Sequence, residues 1–222
     1  MLSDREVKYM SVIKIDDVSK IIKKQLILDH ITMEFHSGTV YGITGINGSG
    51  KTMLLRLVSG LMRPSFGSVL YNDKRLYHDI NFLPSIGIVI ENVDLYPEFT
   101  GFQNLKMLAN IRKRIQDADI ERAMSRVGLD PKDKRTVKKY SLGMRKKLAI
   151  AQAIMESPEV ILLDEPTSAL DAESVEKVRD IIKAEKERGA LILLTSHNAD
   201  DIRILCDEIY ALQNGRRKDV QT

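Results

Sequence analysis

Residues 40–58 read VYGITGINGSGKTMLLRLV and contain, in order, an apolar strand pattern, a glycine-rich loop and an apolar helical pattern. The loop GINGSGKT, residues 45–52, matches G-x-x-x-x-G-K-[ST] in the strand-to-helix setting that this motif requires. Its glycines allow a tight turn whose N–H groups face an anion, and the following helix adds the positive end of its dipole. The stretch therefore predicts a phosphate-binding loop between a strand and a helix.

The side chains of this loop are expected to bind a nucleoside triphosphate and its metal ion. Lys51 is expected to bridge the outer phosphates as a point charge, and the Thr52 hydroxyl is expected to ligand Mg²⁺. The residues expected to contact the nucleotide are Gly45, Ile46, Asn47, Gly48, Ser49, Gly50, Lys51, Thr52 and Met53.

Composition limits the class of protein. A chain of 222 residues with 43% hydrophobic content can bury a core of one or at most two lobes. The net charge is only +3 and the basic residues are spread along the chain, so charge gives no strong case for nucleic acid. No run approaches the roughly 20 apolar residues that span a bilayer. The charged N-terminus lacks the apolar core of a secretory signal. The single cysteine, Cys206, fits a reducing cytosol. We expect a cytoplasmic protein.

Strand and helix patterns alternate along most of the chain and predict an α/β fold with a largely parallel sheet. Strands are predicted at residues 12–15, 31–35, 40–44, 86–90, 160–164, 191–195 and 209–212. Helices are predicted between them at residues 52–58, 173–188 and 200–205. The middle of the chain instead shows helical patterns alone, at residues 102–114, 119–127 and 141–155.

This change of pattern predicts a helical lobe inserted into one domain. We expect that domain to comprise residues 1–222, with an α/β core of residues 1–91 and 158–222 and a helical lobe of residues 92–157.

Two carboxylates follow an apolar strand in VILLDE, residues 160–165. Ligands of α/β proteins bind at the carboxyl ends of such strands. Asp164 is expected to hold Mg²⁺ through its hydration shell, and Glu165 to orient and polarise the attacking water. An acidic pair after a strand is often only a turn or a helix cap, but the phosphate-binding loop in the same chain favours the catalytic interpretation.

The stretch YSLGMRKKLAIAQAIMESP, residues 140–158, resembles the signature region of the ABC ATPases. Ser141 and Gly143 match the Ser and the second Gly of the family's L-S-G-G-Q, with Leu142 in place of the first Gly. The resemblance implies that Ser141 and Gly143, at a helix N-terminus, complete the nucleotide site of the opposite subunit. The block YSLGM followed by basic residues is most similar to bacterial ATPase subunits that export peptide antibiotics of the bacitracin type.

Two further stretches carry the same resemblance. SALD, residues 168–171, is similar to the family's D-loop and implies a nucleotide-site role for Asp171. TSH, residues 195–197, is similar to the switch strand, and implies that His197 contacts the γ-phosphate and holds Glu165 and the water in register.

The sequence departs from the family at two functional positions. Glu91 follows IGIVI where the family has a Gln that touches Mg²⁺ and the water. A carboxylate can also ligand Mg²⁺, but it repels Glu165 and the γ-phosphate, so Glu91 is either protonated or held away, or hydrolysis is slow without the partner. Ile21 or Ile22 stands in place of the aromatic that stacks on adenine, so modest nucleotide affinity is expected.

The resemblance implies a P-loop ABC-type core with an N-terminal antiparallel β group and an inserted helical lobe. It implies an ATPase subunit, as a homodimer or heterodimer around two Mg-ATP, that drives a separate transmembrane permease. The permease is expected to dock near Leu95, Tyr96 and Phe99 and to hold the chain on the cytoplasmic face of the membrane.

Two other functions stay open. A soluble ABC protein acting on the ribosome or on DNA normally has a second ATPase domain or a long coiled-coil insertion, and this chain has neither. A non-hydrolysing regulatory ABC module is the other alternative, and phosphate release by the dimer would separate it from an ATPase.

Overall fold

A six-stranded sheet lies at the centre of the molecule; the computed structural model describes residues 11–91 and 94–218. Its spatial order is Arg216–Lys218 (β10), Glu208–Gln213 (β9), Val40–Thr44 (β3), Leu191–Thr195 (β8), Val160–Asp164 (β7) and Ile86–Val89 (β6). The strands from β9 to β6 run parallel, and β10 pairs with β9 antiparallel. The largely parallel sheet predicted from the sequence is confirmed.

The second sheet is antiparallel, as the resemblance implied. Its order is Gln25–His36 (β2), Val12–Ile22 (β1), Phe66–Tyr71 (β4) and Lys74–Arg75 (β5). A two-residue loop joins β1 to β2, and both of its residues, Lys23 and Lys24, have positive φ, as a type I′ hairpin turn requires. The sequence patterns predicted parts of β1 and β2 but neither β4 nor β5.

The described residues form six α-helices besides these sheets, and each was predicted to within a few residues. They are Lys51–Val58 (α1), Gly101–Arg112 (α2), Asp117–Arg126 (α3), Leu142–Ile154 (α4), Ala172–Glu187 (α5) and Ala199–Leu205 (α6). The helices α2, α3 and α4 follow one another between β6 and β7, as expected for an inserted lobe. Within residues 11–91 and 94–218, no helix is both long and apolar enough to span a bilayer.

The two faces of the large sheet bury different halves of the core. On β7 and β8, Ile161, Leu163, Ile192 and Leu194 pack with the apolar side chains of α2 to α5. Their sequence neighbours, such as Leu162 and Leu193, point to the other face and pack with α1 and the antiparallel sheet. Because both faces are covered, β7 and β8 are continuous apolar runs without polar alternation.

This topology brings three chain segments to one edge. Strand β3 lies next to β8, and β8 lies next to β7, so their carboxyl ends are neighbours. Asp164 at the end of β7 pairs in register with Thr195 at the end of β8. Ligands of open parallel sheets bind beyond such ends, and the candidate site lies there.

Candidate nucleotide-binding site

The loop between β3 and α1 has a backbone course that only glycine permits. A Cβ on Gly45 would lie 2.3 Å from the carbonyl oxygen of Leu212 and 2.6 Å from Oγ of Ser49. Gly50 has a left-handed φ of 105°, and a Cβ there would lie 2.7 Å from Cδ2 of Leu28. The loop is therefore pressed against β9 and β2 and held in a tight curl.

The N-terminus of α1 has backbone N–H groups that can bind an anion. Helices α2, α4, α5 and α6 each have a side chain that accepts a hydrogen bond from their first turn, whereas α1 begins at Gly50 without one. The first N–H groups of a helix have no intrahelical acceptor. The buried hydroxyl of Ser49 also has no hydrogen-bond partner in the described part of the chain. These donors fit a phosphate group, as the motif predicted.

Lys51 lies folded into the same loop. Its Nζ donates to the carbonyl oxygens of Gly45, at 2.7 Å, and Ile46, at 3.2 Å. An ammonium group has three donors, so one remains for a phosphate oxygen even in this conformation.

Thr52 and Asp164 lie together at the base of the loop. The Thr52 hydroxyl donates to Oδ2 of Asp164 at 2.7 Å, and the Thr195 hydroxyl donates to Oδ1 at 2.6 Å. Hydroxyl and carboxylate oxygens are ligands that Mg²⁺ prefers, usually as one or two protein groups beside water and phosphate. The pair therefore fits the magnesium role expected for Thr52 and Asp164.

Glu165 and His197 face each other beside this pair. The backbone N–H of His197 donates to Oε2 of Glu165 at 3.1 Å, and the backbone N–H of Glu165 donates to Oγ1 of Thr195 at 3.1 Å. Oε1 of Glu165 lies 3.2 Å from Nε2 of His197 but accepts no hydrogen bond from the described residues. This buried oxygen therefore keeps unused acceptor capacity, which a group that is to accept a proton needs.

A cavity of about 360 Å³ joins these groups. It is lined by Ile27, Asn47, Gly48, Gly50, Lys51, Thr52, Met53, Asp164, Glu165 and His197. Ile27 was missed from the sequence, which pointed instead to Ile21 or Ile22 as the surface for the base. Neither of those two residues lines the cavity, because the β1–β2 hairpin brings the start of β2, and with it Ile27, alongside the loop.

Ser141, Gly143 and Asp171 do not line this cavity. Oγ of Ser141 accepts from the N–H of Met144 and caps α4. Oδ1 of Asp171 accepts from the N–H of Ser174 at 2.9 Å and caps α5, and this backbone hydrogen bond is the main cause that lowers the pKa of Asp171. Within one chain Ser141 and Asp171 are helix caps and Gly143 lies in the first turn of α4, so their predicted contact with nucleotide requires a second subunit.

Glu91 does not line the nucleotide cavity either, and its role as a metal ligand stays a prediction. Its Oε2 lies 2.5 Å from Nη2 of Arg56 on α1. A nearby guanidinium attracts this carboxylate, whereas Asp164 and Glu165 repel it. Of the alternatives left open by the sequence, the structure shows Glu91 held away.

Lys146 is a second residue that sequence reasoning missed. Its Nζ extends from α4 to the carbonyl oxygen of Asp164 at 3.1 Å. Burial lowers the pKa of this ammonium group, and the charges of Asp164 and Glu165 oppose that shift. The only sequence signal was the basic character of the residues after YSLGM, which does not indicate where they point.

Comparison with known proteins agrees with this geometry. The family model described as ABC transporter matches residues 28–168. The chain is 48% identical to the uncharacterized ABC transporter ATP-binding protein YybJ of Bacillus subtilis, over 92% of this chain and 94% of that protein. It is 32% identical to the bacitracin transport ATP-binding protein BcrA of Bacillus licheniformis, over 93% of this chain and 68% of that protein.

The fold is also that of a solved cassette. The dimeric structure of a bacterial ABC transporter cassette superposes with a TM-score of 0.84 at 23% identity, over 93% of this chain and 96% of that one. The signature block had already indicated the bacitracin-type subunits, and that resemblance is confirmed. The chain belongs to the ABC transporter family, as one of its ATP-binding subunits.

Proposed function

We propose that this chain binds and hydrolyses ATP with Mg²⁺, as one half of a dimer that drives a separate transmembrane permease. The observation that carries the proposal is the Glu165 carboxylate. One of its oxygens is fixed by the backbone of His197, and the other is buried without a hydrogen bond, in the cavity that also holds the phosphate loop. A positioned carboxylate of this kind is suited to act as a general base.

The residues divide the chemistry among them. The loop N–H groups and Lys51 hold the phosphates. Thr52 and Asp164 would hold Mg²⁺, which would neutralise charge on the phosphate oxygens. Glu165 accepts the proton of the attacking water through Oε1. His197 lies within 3.2 Å of that oxygen and keeps the water and the γ-phosphate in register.

A second subunit supplies the remaining contacts. Ser141 and Gly143 stand at the start of α4, beside Leu142, which is 63% exposed. A helix N-terminus on the surface can bind the γ-phosphate held by another chain. Two chains arranged head to tail, identical or related, therefore enclose two nucleotides, and the resemblance to a dimeric cassette supports this arrangement.

The segment after Glu91 offers a surface for the permease. The rings of Tyr96 and Phe99 are exposed and lie 5.8 Å apart. The buried side chain of Asn104 holds the backbone of this segment in place. It accepts a hydrogen bond from the N–H of Tyr96 and donates hydrogen bonds to the carbonyl oxygens of Tyr96 and Thr100. Leu95 is half-buried and packs against the core, so the two aromatic rings form most of the expected contact.

Replacing Tyr96 with Asp is expected to abolish stimulation of ATP hydrolysis by the permease and to spare the basal rate. The change puts a charge into an apolar contact, and burying an unpaired charge is strongly unfavourable. The measurement is phosphate release by the subunit alone and with its permease in membranes. Exposed Phe82, which lies outside this segment, gives the control Phe82→Asp; equal stimulation of wild type and Tyr96→Asp would contradict the docking surface.

Replacing Glu91 with Gln is expected to raise the ATPase rate of the isolated subunit severalfold. The amide has no charge to pair with Arg56 and is not repelled by Asp164 and Glu165, so it reaches the nucleotide site more readily. Phosphate release by purified wild type and variant is the measurement.

Arg56→Gln is the matched control, since it breaks the same ion pair but keeps the carboxylate and its repulsion. A severalfold lower rate for Glu91→Gln would show that the carboxylate is a working Mg²⁺ ligand and that the repulsion argument is wrong.

A further inference from the structure

A fully buried carboxylate lies behind the candidate site. Asp201, in the first turn of α6, has no exposed surface. Arg179 of α5 donates to its Oδ1 from two nitrogens, Nε at 2.9 Å and Nη2 at 2.6 Å. The arginine is itself buried, so the two charges neutralise each other inside the protein.

The other oxygen of Asp201 joins two loops of the site. Oδ2 accepts hydrogen bonds from the hydroxyls of Thr167 and of Ser196, the latter at 3.1 Å. Thr167 follows Glu165 by two residues, and Ser196 immediately precedes His197. One carboxylate oxygen thus connects the segment that carries the proposed base with the segment that carries the switch histidine.

We propose that Asp201, held by Arg179, is a positioning residue for ATP hydrolysis. It keeps Glu165 and His197 in register by fixing Thr167 and Ser196 to one point. The inference rests on the proposed hydrolytic function. Asp201 touches neither the nucleotide nor the reacting atoms, and it acts only through the two hydroxyl groups.

The four donor groups around Asp201 require a carboxylate at this position. Both hydroxyls donate to Oδ2 while the guanidinium donates twice to Oδ1, so all four hydrogen bonds need an acceptor. An ionised carboxylate is acceptor-only at both oxygens. An amide would present N–H donors to one of the two sets, and it would leave Arg179 with the more exposed Glu176 as its remaining carboxylate partner.

A second buried ion pair on the same helix provides a matched control. Glu185 of α5 accepts from Arg126 at 2.7 Å and from Arg188 at 2.8 Å, and its side chain is only 4% exposed. Arg126 belongs to α3 and Arg188 directly follows α5, and among the described residues the side chain of Glu185 has no hydrogen bond to the loops of Glu165 or His197. Glu185→Gln therefore disturbs a comparable pair without disturbing the register of the site.

The test compares Asp201→Asn with Glu185→Gln by steady-state phosphate release, at a temperature where circular dichroism shows both folded. Because misplacing reacting groups by about 1 Å can cost 10²-fold in rate, we expect kcat of Asp201→Asn to fall about tenfold or more. Its KM for ATP should stay close to the wild-type value. Glu185→Gln should keep kcat.

Two smaller changes test the positioning role of Asp201 if Asp201→Asn does not fold. Thr167→Val and Ser196→Ala each remove one hydroxyl and leave the buried ion pair intact, and each should lower kcat at unchanged KM. Unchanged kcat in these variants, or equal losses in Asp201→Asn and Glu185→Gln, would overturn the role of Asp201. A wild-type dimer that releases no phosphate would instead overturn the proposed function itself and, with it, this inference.

Discussion

Replacing Glu165 with Gln is expected to lower phosphate release by at least about a hundredfold, since a positioned general base contributes roughly 10² to 10⁴ in rate. ATP binding should persist, because Lys51, Thr52 and the loop are unchanged. The amide keeps the shape of the carboxylate and removes one negative charge from the space between the two subunits. The variant should therefore accumulate as an ATP-bound dimer.

Gel filtration with and without Mg-ATP, together with phosphate release, measures both effects. Glu173→Gln is a suitable control, because Glu173 is 81% exposed and pairs with Lys177 on the surface of α5. A Glu165→Gln protein that stays monomeric at high ATP and protein concentration would contradict the two-subunit arrangement.

Replacing Lys51 with Ala is expected to weaken ATP binding by about 1.5–3 kcal/mol, the range of a hydrogen bond to a charged group. That range corresponds to a dissociation constant about 10- to 150-fold higher. Titration calorimetry of the purified chain measures the change.

Lys51 also hydrogen-bonds to Gly45 and Ile46 in the loop, so thermal unfolding must be recorded for the variant. Lys106→Ala, which removes an exposed lysine paired with Asp117, controls for the loss of one positive charge. Unchanged ATP affinity in a folded Lys51→Ala protein would remove the phosphate-binding role from this residue.

The strands that the sequence predicted are those with strong apolar patterns. LILLT and VILLD are continuous apolar runs, because their strands are buried on both faces of the sheet. Strands β5 and β10 consist of the residues KR and RRK, which have no apolar pattern at all. Such strands exist only because a neighbouring strand offers them hydrogen bonds, and a sequence pattern does not contain that information.

The sequence predicted those residues of the candidate site that belong to contiguous motifs. The loop of Lys51, the end of β7 and the end of β8 each carry a motif, and parallel strands bring their carboxyl ends to one edge. Ile27, Lys146 and the Arg56–Glu91 pair were not predictable in the same way. Their contacts depend on the register of a hairpin or on the direction of a long side chain.

The strand order has a consequence for synthesis on the ribosome. Strand β3, which leads into the phosphate loop, ends at residue 44, whereas its two neighbours in the sheet, β8 and β9, begin only at residues 191 and 208. A nascent chain therefore carries a complete loop motif whose strand has no partner in the sheet. Until β8 and β9 have been synthesised, apolar β3 lacks both of its neighbours in the sheet, a condition that favours aggregation or chaperone capture. We expect the loop to bind nucleotide only after those two strands have paired with β3.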